Sequence, residues 1–114
     1  MGRRKKEVWK SVVGNDMYLV SNYGSVKSVK SGEPLKQYPT SKGYVQVFPY
    51  YNGKRKHKLV HILVAEAFII NPKPKEYNQV NHKNCIKTDN YVGNLEWCDN
   101  RYNTLYYYRH RKKM

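Results

Sequence analysis

The first half of the chain consists of short apolar and aromatic runs separated by Gly, Asn and Pro. The clearest run, Tyr44–Phe48, is rich in aromatic and β-branched residues, which favour strands. Asn52-Gly53 follows it, and this dipeptide is the strongest short signal for a hairpin turn. We therefore predict that residues 44–50 and 54–60 pair as antiparallel strands. The other predicted strands are Glu7–Val12, Tyr18–Ser21, Gly24–Ser28 and, within the second arm of the hairpin, Lys56–Val60.

The periodicity then changes to that of a helix. Four positions that recur at helical spacing predict a helix over residues 61–69, and Asn71-Pro72 ends it. The four positions are His61, Val64, Ala65 and Phe68. After a Pro-containing connector, residues 79–83 and 95–98 are predicted strands on either side of a polar loop. Asp99 or Asn100 can cap a final helix. The pattern predicts an α+β fold: a small antiparallel sheet with a helix, followed by a strand–loop–strand–helix unit.

Charge narrows the possible partners. The 114 residues fit one compact domain, or two small modules that share a core. Lys and Arg number 22 against 8 Asp and Glu, a formal net charge of +14, which directs the protein toward polyanions. Nucleic acid is the polyanion we expect, because no stretch is apolar enough to span or anchor in a membrane. Two cysteines exclude a disulfide framework and a paired CxxC zinc site.

Basic residues concentrate on the predicted strands and turns of the first half and are interleaved with tyrosines. A solvated cationic face is the ordinary explanation of such a charge run. Phosphate contacts, with aromatic rings against sugars or bases, are the functional explanation. We expect DNA contacts from Lys27, Lys30, Lys42, Lys54, Arg55, Lys56 and Lys58.

The most specific signal is the order His82, Asn94, Asn103 on the strand–loop–strand–helix unit, with Val80-Asn81-His82 on its first strand. This arrangement resembles the HNH motif of phage-type homing endonucleases. Two further segments support the resemblance. The region from Glu7 to Ser28 is similar to the NUMOD-like module at the N-terminus of such enzymes, and the His61–Phe68 segment with Asn71-Pro72 is similar to the start of their HNH core.

The resemblance implies a C-terminal ββα-metal (HNH) unit that cuts double-stranded DNA with one divalent cation, typically as a nickase. It implies that His82 is the general base, that Asn94 braces the loop and orients His82, and that Asn81 and Asn103 hold the metal. Amide oxygens are hard ligands, which suit Mg²⁺ or Mn²⁺ better than zinc. Relatives can carry Asp at the position of Asn81. The neutral pair here predicts weak metal affinity in the absence of DNA.

The implied organisation is a basic arm over residues 1–6, a DNA-binding β module over 7–58, and a nuclease core with a basic tail over 59–114. We expect the protein to act in the cytoplasm of a host cell; whether it works as a monomer or a homodimer stays open. Two alternatives also stay open. One is an inactive DNA-binding protein that keeps the HNH fold. The other, a basic RNA- or ribosome-associated module, explains the charge but not the spacing of His82, Asn94 and Asn103. His61 is expected to cap or pack at its helix start, with a catalytic or DNA role as the alternative.

Overall fold

The computed structural model of the protein describes residues 5–111, with the backbone alone at residue 111. Residues 1–4 of the predicted basic arm and residues 112–114 of the basic tail lie outside the described part. The elements are β1 (Trp9–Val12), β2 (Asn15–Ser21), β3 (Val26–Ser28), β4 (Tyr38–Pro39), β5 (Val45–Val47), β6 (Tyr50–Tyr51), β7 (Lys54–Arg55), β8 (Lys58–Leu59), α1 (Val60–Phe68), β9 (Gln79–His82), β10 (Leu95–Cys98) and α2 (Asn100–Arg111). The predicted α+β class is confirmed.

The first sheet has the order β1-β2-β3, with antiparallel neighbours. Its β2–β3 turn contains Gly24, whose φ of +90° lies in the left-handed region that favours glycine. A Cβ at this position would lie 2.9 Å from the Cβ of Asn90. Glycine therefore lets the turn pack directly against the loop that follows β9.

The predicted hairpin of residues 44–60 is present, but it forms two separate ladders. In the first, β5 pairs with β8 through Gln46↔Leu59, and in the second β6 pairs with β7 around Asn52-Gly53. Phe48-Pro49 separates them, since proline has no N–H to donate to a ladder. The predicted continuous strands were therefore wrong in length. The short strand β4, which pairs with β5, was not predicted.

Helix α1 lies at the centre of the molecule and contacts β1, β2, β5, β8, β9 and β10. It spans one residue earlier than predicted at each end, and the N–H of Ile69 donates to the carbonyl of Ala65 after its last turn. One hydrophobic core joins both halves of the chain, with Val20 and Val47 on one side and Val80 and Leu95 on the other. Burial of this shared core positions the C-terminal unit against the N-terminal sheet.

The C-terminal unit is the hairpin of β9 and β10 with α2 on one face. The register places Asn81 opposite Glu96 and His82 opposite Leu95. Because side chains alternate along a strand, Val80 and His82 face the core, whereas Gln79 and Asn81 face the other side. Helix α2 contacts β9, and its start is capped by Asp99, whose Oδ1 accepts a 2.6 Å hydrogen bond from the N–H of Tyr102.

Candidate active site

His82 is the last residue of β9 and is 5% exposed. Its Nε2 atom lies 2.7 Å from Oδ1 of Asn90. An amide oxygen can only accept, so Nε2 donates and Nδ1 keeps the lone pair. Within residues 5–111, no group donates a hydrogen bond to Nδ1. Asn90 thus fixes the tautomer in which Nδ1 of His82 can accept a proton.

The surroundings keep His82 uncharged near neutral pH. Burial lowers the pKa of His82 below its usual 6.5. The hydrogen bond to Asn90 and the charge of Asp89 act in the opposite direction, and the charge of Lys87 adds to the lowering of the pKa. A neutral imidazole with a free lone pair is the form that a general base needs.

The N-terminal module supports the loop that carries Asn90. Gly24 packs against Asn90, the N–H of Val92 donates to the carbonyl of Asn22 over 2.8 Å, and the rings of Tyr23 and Tyr91 stack at 5.3 Å. In the sequence, Asn90 is one polar residue of the loop between the two predicted strands. Nothing in the sequence separates it from Asn84, because its contact with His82 depends on the packing of the Gly24 turn.

Asn94 holds the same loop from the inside. Its Nδ2 donates to Oδ1 of Asn84 and to the carbonyl of Asp89, both over 2.9 Å, and its Oδ1 accepts from the N–H of Asn84. The carbonyl of Asn94 accepts from the N–H of Lys83, next to His82. The side chain that contacts His82 is Asn90. Asn94 bonds to the loop around His82, and its expected role in orienting His82 stays a prediction.

His61 lies beside His82, from the start of α1. It is 4% exposed, and its ring is 4.9 Å from the ring of His82 and 4.8 Å from the ring of Tyr44. Burial, followed by the charge of His82, lowers the pKa of His61 to about 3. Within the described chain its buried Nδ1 has no hydrogen-bond partner. His61 is therefore a neutral ring that packs against the candidate base.

The two predicted metal ligands lie on elements that contact each other: Asn81 is on β9 and Asn103 is on α2. Nδ2 of Asn81 donates to Oε2 of Glu96 over 2.7 Å, and Nδ2 of Asn103 donates to Oε1 of Gln79 over 3.0 Å. Neither Oδ1 accepts a hydrogen bond from residues 5–111. Both amides thus use their N–H groups on the protein and keep their oxygens available.

This donor set fits a hard divalent cation. Nowhere in residues 5–111 do three His, Cys, Asp or Glu side chains lie together as a metal site. A cation held here would depend on the oxygens of Asn81 and Asn103 with water and phosphate, as Mg²⁺ and Mn²⁺ accept. Asn81 and Asn103 bond to different partners, Glu96 and Gln79, and no hydrogen bond joins the two amides within the described residues.

Helix α2 is fixed across β9 at two points. Besides the Asn103–Gln79 bond, the hydroxyl of Tyr106 donates to the carbonyl of Lys83 over 2.6 Å. Desolvation, followed by the charge of Glu96, raises the pKa of Tyr106 above 10. Tyr106 is therefore a structural donor and not a base.

The predicted DNA-binding residues form one group and three outlying positions. Around the tip of the β6–β7 hairpin, the guanidinium of Arg55 lies 4.3 Å from the ring of Tyr50, and Nζ of Lys58 lies 4.9 Å from the ring of Tyr51. Lys54 and Lys56 flank them and are exposed. Lys27 lies on β3, 4.0 Å from the ring of Trp9. The remaining positions, in exposed turns or loops, are Lys30 and Lys42.

Comparisons with known proteins show which class of protein the chain is similar to. The NUMOD4 motif matches residues 7–48. The chain is 40% identical over 95 residues to the uncharacterized HNH endonuclease L245 of Acanthamoeba polyphaga mimivirus, covering 83% of the chain and 28% of that protein. It is 38% identical over 99 residues to the DNA endonuclease I-HmuI of Bacillus phage SP01, covering 83% of the chain and 54% of that protein.

The chain is also similar to a solved structure that describes DNA binding and cleavage by the HNH homing endonuclease I-HmuI. The match covers 94% of this chain and 60% of the chain in that structure. The TM-score is 0.81 at 33% identity. The chain is therefore related to phage-type HNH homing endonucleases and has their fold. It spans about half the length of I-HmuI and less of the viral relative. Across residues 5–111, neither helix is long and apolar enough to cross a membrane.

Proposed function

We propose that the protein is a divalent-metal-dependent DNA endonuclease of the homing type that nicks one strand. The observation that carries the proposal is His82: it is buried, neutral and held by Asn90 with Nδ1 free, at the end of the strand that also carries Asn81. Its position in a fold shared with I-HmuI supports the same conclusion. One site of this kind acts on one phosphodiester at a time.

The chemistry assigned to the chain is proton transfer and orientation. Nδ1 of His82 takes a proton from water, and the resulting hydroxide attacks phosphorus. The bond between phosphorus and the 3′ oxygen breaks, the 3′ oxygen takes up a proton from solvent, and the phosphate stays on the 5′ end of the other product. When bound, a Mg²⁺ or Mn²⁺ ion would neutralise phosphate charge and stabilise the leaving oxygen. Asn81 and Asn103 are the residues that would hold it.

The proposed substrate is double-stranded DNA, held mainly by its phosphates. The group at the β6–β7 tip combines exposed cations with two tyrosine rings in a two-stranded ribbon, and a ribbon of this width can enter the major groove. The net charge of +14 supplies long-range attraction. Non-specific affinity should therefore depend strongly on salt.

The test is the incubation of supercoiled plasmid with the purified protein in Mg²⁺ or Mn²⁺, with and without EDTA. The proposal predicts open-circular plasmid that forms only with the metal. Binding of the plasmid without any nicking in either metal would favour the rival function, a DNA-binding protein without activity. That rival is supported by the neutral charge of both candidate metal ligands.

A further inference from the structure

Among the hydrogen bonds of the described residues, Glu96 is the one side chain that bonds to Asn81 across the hairpin. It lies directly opposite Asn81 in the β9–β10 register, and its Oε2 accepts the 2.7 Å hydrogen bond from Nδ2 of Asn81. The same oxygen lies 3.4 Å from the hydroxyl of Tyr102 on α2. The carboxylate is half-buried between the hairpin and the helix.

The Glu96 carboxylate has no cationic partner among the described side chains. The chain carries 22 Lys and Arg, yet Glu96 forms no ion pair with any cationic side chain of residues 5–110. An amide N–H and a tyrosine hydroxyl are its partners instead. A cation from solvent can therefore approach this carboxylate without competition from a cationic side chain of residues 5–110. The negative charge of Glu96 therefore lies next to Asn81, one of the two candidate metal ligands.

The hydrogen bond also decides which way the Asn81 amide points. Asn81 is 2% exposed, so its amide has little freedom to rotate. With Nδ2 donating to Glu96, Oδ1 is directed away from the carboxylate and stays available as a ligand. Asn81 and Asn103 together offer two neutral oxygens, whereas a divalent cation is held more tightly when a carboxylate lies nearby.

We propose that Glu96 is a positioning residue of the cation site: it fixes the Asn81 amide with Oδ1 toward the cation and supplies the negative charge that the two amides lack. The inference rests on the proposed function, since it assumes that Asn81 is a ligand. Outer groups that orient metal ligands typically contribute 10- to 100-fold to metal affinity. A cross-strand pair with only a structural role would leave metal affinity unchanged.

The experiment measures Mn²⁺ binding by electron paramagnetic resonance. The protein is the His82→Ala variant bound to a short duplex, so that the DNA stays intact, and Mn²⁺ bound by the duplex alone is subtracted. In this background Glu96→Gln keeps the size of the side chain and an acceptor for Asn81 but removes the charge. It should weaken Mn²⁺ binding by about 10- to 100-fold. The matched control, Glu76→Gln, changes an exposed glutamate that pairs with Lys73 over 3.9 Å and should have no effect.

A second variant distinguishes charge from folding. Asn81→Asp with Glu96→Gln moves the carboxylate across the ladder and should restore Mn²⁺ binding to within a fewfold of the parent. Equal Mn²⁺ binding by the parent and Glu96→Gln would overturn the inference and leave the proposed function intact. Weak binding that Asn81→Asp does not restore would overturn the role of the charge. No Mn²⁺ bound by the parent beyond the duplex would instead overturn the metal-dependent function itself.

Discussion

Acidification should destabilise this protein, and His61 should cause a defined part of the loss. The pKa of His61 is about 3 in the folded state, against 6.5 in the unfolded chain. Below pH 6.5 the unfolded state therefore binds more protons, so stability is complete above pH 6.5 and falls as the pH drops toward 3. Protonation of an unfolded His61 should cost about 2 kcal/mol of folding free energy at pH 5 relative to pH 8.

The perturbation is His61→Phe, which keeps a ring against Tyr44 and removes the titrating group. The assay is urea unfolding at pH 5 and pH 8. From pH 8 to pH 5, the free energy of unfolding of the wild type should fall by about 2 kcal/mol more than that of His61→Phe. His82 is present in both proteins, so the difference reports the titration of His61 together with its coupling to His82. His57→Gln, a change at an exposed histidine, should behave as wild type. The same pH-dependent loss in wild type and His61→Phe would contradict the lowered pKa assigned to His61.

Three further changes address the site and the DNA contact. Asn90→Ala should slow nicking by about 10- to 100-fold, since His82 loses the bond that fixes its tautomer and position. Thr88→Ala, at an exposed position of the same loop, serves as the comparison, and an unchanged single-turnover rate of Asn90→Ala would contradict this role. Asn103→Ala should require more Mg²⁺ for half-maximal nicking, read from a Mg²⁺ titration, and an unchanged requirement would argue against it as a ligand. Replacing Lys54, Arg55 and Lys56 together by Ala should weaken duplex binding and flatten the dependence of log K on log salt by about 0.9 for each lost phosphate contact; an unchanged slope would place the DNA-binding face elsewhere.

The fold was largely predictable because its signals are local. Asn52-Gly53 and the helical spacing that ends at Asn71-Pro72 located a hairpin and a helix to within a residue or two. The prediction of one continuous 44–60 hairpin failed at Phe48-Pro49, where a missing N–H divides the ladder. Strand β4 was missed because two residues that include a proline carry no periodicity.

The site was predictable only in part. Motif order indicated His82, Asn81, Asn94 and Asn103, and their assigned roles stay predictions. Asn90 could not be selected, because its contact with His82 depends on a turn about 65 residues earlier in the chain, at Gly24. Glu96 did have a signal. Leu95 and Trp97 are apolar and alternate with it, so strand periodicity places Glu96 on the polar face with Asn81.

The central claim is that His82 activates water for phosphodiester hydrolysis. The most direct measurement compares single-turnover nicking by wild type and His82→Ala at saturating duplex, together with the affinity of each protein for that duplex. General-base catalysis predicts a loss of about 10²- to 10⁴-fold in rate with nearly unchanged affinity. Nicking by His82→Ala at a rate close to wild type would contradict the claim.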